Sequence, residues 1–280
     1  MKRRGWLLAA AAAPWAGQAV ALARLPRLVT VGGAITEVVY ALGAEAQLVG
    51  TDTTSLYPAA ALKTPKVGYM RQLSAEGVLS LRPDALIATT EAGPPVVIDQ
   101  LRGAGVKVEL VEADHSWDEL RAKVHAVGRA SGREAAARAL QAQLDAQWAE
   151  AGRRVAQAPR KPRVLFILSH GASPQVSGTG TAADAMIRYA GGVNALAGFQ
   201  GYRPMTAEGM AGAAPEVILT SEQSLEAHGG AQRFWERPEL ALTPAYRRRA
   251  LVAMDALLLL GFGPRLPQAV RQLHERMLAA

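Results

Sequence analysis

One long helical segment in the middle of the chain limits its architecture more than any other feature. Residues 132–157 read "GREAAARALQAQLDAQWAEAGRRVAQ", a run rich in Ala, Arg, Gln and Glu in which Gly152 is the only turn former after the first residue. Apolar side chains recur at helical spacing at Ala136, Leu140, Leu144 and Trp148. The segment therefore predicts a single helix that, at 1.5 Å per residue, spans roughly 39 Å.

Short apolar runs alternate with helix-like segments on both sides of this helix. The runs are "RLVTVGG", "QLVGTD", "DALIATTE" and "VKVELVE" before it, and "RVLFILS", "PEVILTS" and "ALVAMD" after it. Such alternation predicts βα units with mostly parallel strands, and hence an α/β protein of two lobes. We expect an N-terminal lobe at 24–131, a linking helix at 132–158 and a C-terminal lobe at 159–280. Ligands should bind in the cleft between the lobes, beyond the carboxyl ends of the strands.

The first 23 residues have the pattern of a cleaved secretory signal. Three basic residues precede an apolar Leu/Ala run that ends in small residues at alternate positions, so we expect cleavage after Ala21 or Ala23. A membrane anchor is the alternative interpretation. Pro14 and Gly17 interrupt the run well short of the roughly 20 apolar residues that a span needs, which favours export.

The amino-acid composition excludes several classes of protein. The chain has no cysteine, which excludes disulfides and also a lipid-modified cysteine after the signal. Its 31 basic and 24 acidic residues are interspersed, so nucleic acid is not an expected partner. The short basic runs "APRKPR" and "YRRR" are interpreted as solvated faces. We expect the mature protein to be a soluble monomer.

A faint internal repeat relates the two predicted lobes. "GYMRQLSAEGVLSLRPDALIATT" in the first corresponds to "GYRPMTAEGMAGAAPEVILTS" in the second. Both have Gly-Tyr, a hydroxyl residue, Ala-Glu-Gly, a proline seven residues after the glutamate, an acid and then a strand. The hydroxyl residues Ser74 and Thr206 are predicted helix N-caps, which places Glu76 and Glu208 in first turns, where a carboxylate complements exposed amides.

The same repeat brings a tyrosine and an arginine to the predicted cleft from each lobe. These are Tyr69 with Arg71, and Tyr202 with Arg203. A phenol beside a guanidinium suits an apolar ligand with acidic ends, because arginine clamps a carboxylate with two hydrogen bonds. It equally suits ligation of ferric iron by a phenolate oxygen, which a nearby cation helps to keep ionised.

Several motifs together resemble one family of transport proteins. "VGYMRQLSAEG", "LSHG", "GTAADAMIRYAGG", "AEGMAGAAPEVIL" and "LLLLGFGPRLPQAV" occur in the order found in the haem-carrying periplasmic binding proteins of bacterial ABC transporters. The wider class of helix-linked binding proteins also carries cobalamin and iron siderophores. The resemblance implies that the protein captures haem in the periplasm for iron uptake. It further implies that Tyr69 coordinates the haem iron and that Arg71 lies near a propionate.

The resemblance also implies partners. One surface glutamate per lobe, here Glu76 and Glu208, would meet arginines on the two halves of an ABC transporter permease, and an outer-membrane haem receptor system would act upstream. Some members hold two stacked haems, the second on a histidine of the opposite lobe, and His170 in "LSHG" matches that place. The alternative for His170 is a loop histidine that contacts backbone. One or two haems are therefore expected for each protein.

Two other functions remain open from the sequence. A binding protein for cobalamin or a ferric siderophore has the same architecture, and the Tyr-x-Arg loop together with His170 favours haem over both. An enzyme is not expected, since the chain has no G-x-S-x-G elbow, P-loop, HExxH or dinucleotide-binding glycine fingerprint. "VSGTGTAAD" is either a phosphate-binding loop or an ordinary helix start in which Asp184 follows Thr181.

Overall fold

A computed structural model describes residues 24–169 and 174–280. The predicted signal segment at 1–23 and His170 lie outside these described residues. Residues 24–131 contain the strands β1 Leu28–Val31, β2 Leu48–Thr51, β3 Gly68–Tyr69, β4 Gln72–Leu73, β5 Ala85–Thr89 and β6 Lys107–Val111. The helices of this part are α1 Gly33–Ala41, α2 Ala75–Ser80, α3 Pro95–Gly103 and α4 Trp117–Ser131, and short 3₁₀ turns lie at Glu45–Gln47 and Ala59–Lys63.

The N-terminal sheet is parallel throughout. Its strand order is β2-β1-β5-β6, while β3 and β4 form a separate antiparallel hairpin. All four residues of β1 are buried because both faces of this sheet are covered. Leu28 packs into one hydrophobic cluster and its neighbour Val29 into another, as expected from side chains that alternate between the two faces of a strand.

A 23-residue helix, α5 Glu134–Ala156, follows this sheet. The helix predicted over 132–158 thus begins two residues later than expected, because Gly132 adopts the left-handed conformation (φ 67°) that ends α4. A side chain at Gly128 would place its Cβ 2.6 Å from the Cβ of Ala137, so glycine there allows α4 and α5 to pack closely.

The second half of the chain forms a larger sheet. Its strands are β7 Arg163–Leu168, β8 Gln175–Ser177, β9 Val193–Asn194, β10 Tyr202–Pro204, β11 Val217–Ser221 and β12 Leu251–Met254, and the main path runs β10-β8-β7-β11-β12 with β9 beside β7. The helices are α6 Ala182–Tyr189, α7 Ala207–Ala213, α8 Glu222–Ala227, α9 Gly230–Trp235, α10 Pro244–Arg248, α11 Ala256–Leu260 and α12 Leu266–Ala279, with a 3₁₀ turn at Pro238–Leu240.

The predicted α/β class, two βα lobes with mostly parallel sheets, is confirmed. Strands β7, β9, β11 and β12 are parallel to one another, whereas β8 pairs antiparallel with β7 and β10 antiparallel with β8. Every helix in the described part of the chain is too short or too polar to cross a membrane. The lobe boundaries at 131/132 and 158/159 remain predictions.

Direct contacts join the two halves of the molecule. Arg265, just before α12, donates two hydrogen bonds of 2.6 and 2.8 Å to the carboxylate of Glu37 in α1. Lys123 in α4 forms a buried ion pair of 2.5 Å with Glu119, and its ammonium group also donates to the carbonyl oxygens of Gly261 and Phe262. The main hydrophobic cluster is continuous from α1 and α4 through α5 into the second sheet. The halves therefore share one core.

Candidate ligand-binding site

The hairpin β3–β4 presents Tyr69 to solvent. Tyr69 pairs with Gln72 across the hairpin, and Gly68 before it has a φ of 103°, a conformation that glycine adopts readily. Two backbone hydrogen bonds tie the hairpin to the turn after β5. Gly93 donates to the carbonyl of Met70 (2.9 Å), and the amide of Leu73 donates to the carbonyl of Gly93 (2.8 Å). Tyr69 is 40% exposed on this support.

Tyr69, Arg71 and Glu91 form a chain of polar contacts. Arg71 Nη1 donates to the phenolic oxygen of Tyr69 at 2.7 Å, and Arg71 Nη2 donates to Glu91 Oε1 at 2.7 Å. Partial burial alone would lower the pKa of Arg71, but the bond to Tyr69 and the ion pair with Glu91 raise it above its ordinary value. A cation therefore lies in direct contact with the oxygen atom of Tyr69.

Tyr202 lies in the second half of the chain. It occupies the edge strand β10, where it pairs with Ser177, and it is 37% exposed. Burial raises the pKa of the Tyr202 phenol, Thr181 lowers it, and Glu91 and Arg71 act on it with opposite signs. Because these two charged groups belong to the first half of the chain, Tyr202 lies within electrostatic range of the Tyr69 hairpin.

Arg203 is not brought into this group of contacts. Successive side chains of a strand point to opposite faces, so Tyr202 and Arg203 leave β10 on different sides. The guanidinium of Arg203 lies 4.5 Å from the ring centroid of Phe199, a cation–π contact. Tyr202 and Arg203 are therefore neighbours in the chain, but their side chains point to opposite faces of β10.

The two repeated glutamates occupy equivalent positions on two helices. Ser74 Oγ accepts a hydrogen bond from the amide of Gly77 at the start of α2, and Thr206 Oγ1 accepts one from Gly209 at the start of α7. Glu76 and Glu208 lie in the first turns of these helices, and both are exposed. Both predicted N-caps are confirmed. Each half of the chain therefore contributes one exposed glutamate in the first turn of a helix.

The glycine-rich segment before α6 is an ordinary helix start. Thr181 Oγ1 accepts from the amide of Asp184, and Asp184 Oδ2 accepts from the amide of Gly180. Asn194 Nδ2 donates to the other oxygen of Asp184 at 3.0 Å. These bonds account for the threonine and the aspartate, so the capping interpretation is confirmed over the phosphate-binding one.

The described residues contain no cluster of metal-ligating side chains. Within 24–169 and 174–280, no group of three or more His, Asp or Glu side chains is placed to hold a metal ion. The buried ring of His274 bonds the carbonyl of Ala190 through Nδ1 at 2.8 Å, which is a structural role. Two surface clefts of about 430 Å³ each lie between residues 227 and 249, and the tyrosines discussed above do not line them.

Glu91 is the site residue that the sequence did not predict. It follows β5 in the segment "IATTEAG", at the carboxyl end of a buried strand, where ligand-contacting groups are expected in α/β proteins. That position is the feature of the sequence that indicates a ligand contact for Glu91. A single glutamate in a turn has no pattern of its own, however, and its link to Arg71 depends on how the hairpin folds against the turn.

Comparisons with known proteins agree with this architecture. A family model described as "Periplasmic binding protein" matches residues 28–257. The structure of the periplasmic heme-binding protein BhuT in complex with two hemes is 48% identical with a TM-score of 0.87, over 90% of this chain and 97% of that chain. The apo form of the periplasmic heme-binding protein RhuT from Roseiflexus sp. RS-1 is 39% identical with a TM-score of 0.87, over 91% and 99%. A vitamin B12-binding protein of Vibrio cholerae is 27% identical over 75% of each chain.

Proposed function

The chain belongs to the periplasmic binding protein family, and from that premise we propose that it captures haem in the periplasm and delivers it to the permease of an ABC transporter. Members of this family bind and hand over a ligand, which agrees with the expectation that the chain is not an enzyme. The 48% identity with BhuT, which is seen with two hemes, supports haem as the transported ligand.

The contact between Arg71 and the Tyr69 oxygen carries this proposal. A tyrosine that binds ferric iron does so as a phenolate, and a guanidinium at 2.7 Å stabilises that anion. Tyr69 is the proposed iron ligand, Arg71 holds its oxygen, and Tyr202 supplies an aromatic surface from the opposite wall. The resemblance also offers Arg71 for a propionate, and Arg203 is proposed to act at the rim of the cleft, where its guanidinium is exposed.

The number of haems depends on His170. We propose that His170 binds a second haem or supplies an alternative sixth ligand, because it directly follows the segment that contains β7. β7 is a central strand of the second sheet, and the cleft is expected beyond its carboxyl end. Two haems bound to BhuT support a stoichiometry of two for a similar chain.

Docking and export complete the proposal. Exposed Glu76 and Glu208 are proposed to meet basic residues on the two halves of the permease, and an outer-membrane haem receptor system would supply the ligand. Export through a cleaved signal at 1–23 and action as a monomer are part of the same proposal. The periplasmic proteins among the matched structures support this location.

Cobalamin is the second candidate ligand, because the chain also resembles a vitamin B12-binding protein at 27% identity. A titration of the purified mature protein separates the two ligands. We expect haemin to give a shifted Soret band with the charge-transfer bands of a ferric phenolate complex. Equimolar cyanocobalamin should neither bind nor displace it. No spectral change with equimolar haemin, or displacement of haemin by cyanocobalamin, would contradict the proposal.

A further inference from the structure

Arg71 donates two side-chain hydrogen bonds, and they have different effects. The bond from Nη1 to Tyr69 places positive charge at the proposed ligand atom, whereas the bond from Nη2 to Glu91 holds the guanidinium from the other side. The Arg71 side chain is 50% exposed. An arginine side chain loses rotamer entropy when it is fixed, so one hydrogen bond to a phenol holds it weakly.

The backbone fixes the distance that Arg71 bridges. The two hydrogen bonds between Gly93 and the hairpin join the Glu91 turn to the segment that carries Tyr69. Because the guanidinium is planar and its N–H groups form a rigid fork, a carboxylate at one nitrogen determines where the other nitrogen points. Glu91 is thus placed to aim Arg71 at the phenolic oxygen.

We propose that Glu91 is a positioning residue that holds Arg71 against the Tyr69 oxygen and so sets the strength of the iron–phenolate bond. This inference rests on the proposed function. With Nη1 on Tyr69 and Nη2 on Glu91, Arg71 acts on the iron ligand and is not the clamp of a haem propionate. The carboxylate of Glu91 also repels a propionate at this end of the cleft.

Three variants test the role of Glu91 in haemin titrations. Glu91→Ala frees Arg71, so we expect the haemin Kd to rise by about tenfold or more, as is typical when a group that orients a metal ligand is removed. The charge-transfer bands of the phenolate complex should shift or weaken as well. Glu91→Gln keeps an oxygen that accepts from Arg71 Nη2, and should retain the parental bands with a Kd within about threefold of the parent. Glu45→Ala, which removes an exposed carboxylate from a 3₁₀ turn, is the matched control and should match the parent.

A second ligand separates action on iron from action on the propionates. Haemin dimethyl ester, compared with haemin in the same detergent solution, has no propionate charge. If Glu91 acts through Tyr69, Glu91→Ala weakens both ligands by the same factor. A loss confined to haemin, or parental affinity and bands in Glu91→Ala at an unchanged melting temperature, would overturn the inference while the parent still binds haemin. Failure of the parent to bind haemin would instead contradict the proposed function, on which the inference depends.

Discussion

At the scale of single residues, Tyr69 is the proposed iron ligand, because Arg71 donates a hydrogen bond to its phenolic oxygen. Sequence reasoning identified this pair since a tyrosine and an arginine two residues apart in a glycine-flanked loop suggest a ligand contact on their own. It did not identify Glu91. The contact of Glu91 with Arg71 depends on the backbone hydrogen bond between Gly93 and Met70, which joins two segments about 20 residues apart in the chain. It also placed Arg203 close to Tyr202 at the cleft, although successive side chains of β10 point to opposite faces of the sheet.

Removing one oxygen atom tests the iron ligand. Tyr69→Phe keeps the ring and deletes the hydroxyl, so we expect haemin affinity to fall by more than about tenfold, and the phenolate charge-transfer bands to disappear. Tyr40→Phe, the same change on a half-buried tyrosine of α1, is the control and should leave the spectrum unchanged. Haemin binding by Tyr69→Phe with the parental spectrum and Kd would show that another group holds the iron.

A titration of His170→Ala tests the second haem. We expect the parent to show two equivalence points with haemin and the variant to lose the second one, because a neutral imidazole is a strong ligand of haem iron. His125→Ala, on the exposed surface of α4, is the matched control and should keep both points. An identical single equivalence point in the parent and in His170→Ala would count against the role.

At the scale of elements, α2 and α7 repeat one design in the two halves of the chain. Each begins with a hydroxyl cap and carries an exposed glutamate in its first turn.

The longer strands were predictable because apolar runs of four to six residues bounded by turn residues are distinctive. The two- and three-residue strands β8, β9 and β10 were not, since so few residues carry no periodicity and their pairing is set by tertiary contacts.

The exposed glutamates are expected to act in delivery and not in binding. The double variant Glu76→Ala, Glu208→Ala should keep the haemin Kd of the parent and lose no more than about 0.3–1 kcal/mol of stability per site. It should slow haem delivery to reconstituted transporter, because charges at the rim of an interface control encounter rate and orientation.

The control for this variant is Glu45→Ala with Glu134→Ala. Both residues are exposed first-turn glutamates, of a 3₁₀ turn and of α5. The control should deliver haem at the parental rate. Added salt should slow the parent toward the rate of the Glu76/Glu208 variant, since salt screens surface charges. Parental delivery by that variant at low ionic strength would leave helix-end electrostatics as the only role of the two glutamates.

At the scale of the whole molecule, the two halves are joined by more than the linking helix. Trp117 stacks on Trp148 with ring centroids 4.6 Å apart, and Trp148 meets the ring of Tyr189 edge-on at 5.0 Å. These residues belong to α4, α5 and α6, so the aromatic contacts cross from one half to the other. The sequence predicted the helix and its apolar spacing, but not these partners, which only the packed arrangement supplies.

Breaking the buried ion pair in this junction should destabilise the entire protein. Lys123→Met leaves the Glu119 carboxylate buried without its cation and the two carbonyls without a donor, so we expect unfolding in urea to cost about 3–5 kcal/mol less than in the parent. Lys161→Met, at an exposed position before β7, should change stability by less than about 0.5 kcal/mol. Equal urea midpoints for Lys123→Met and the parent would refute this role.

The continuous core has a consequence for how cargo leaves. Since α1, α4, α5 and the second sheet share one apolar cluster, moving the two halves apart would expose apolar surface to water, which costs free energy. If Glu76 and Glu208 dock as proposed, the permease would hold one helix of each half. It would then apply the required work as a strain between the two halves of the protein.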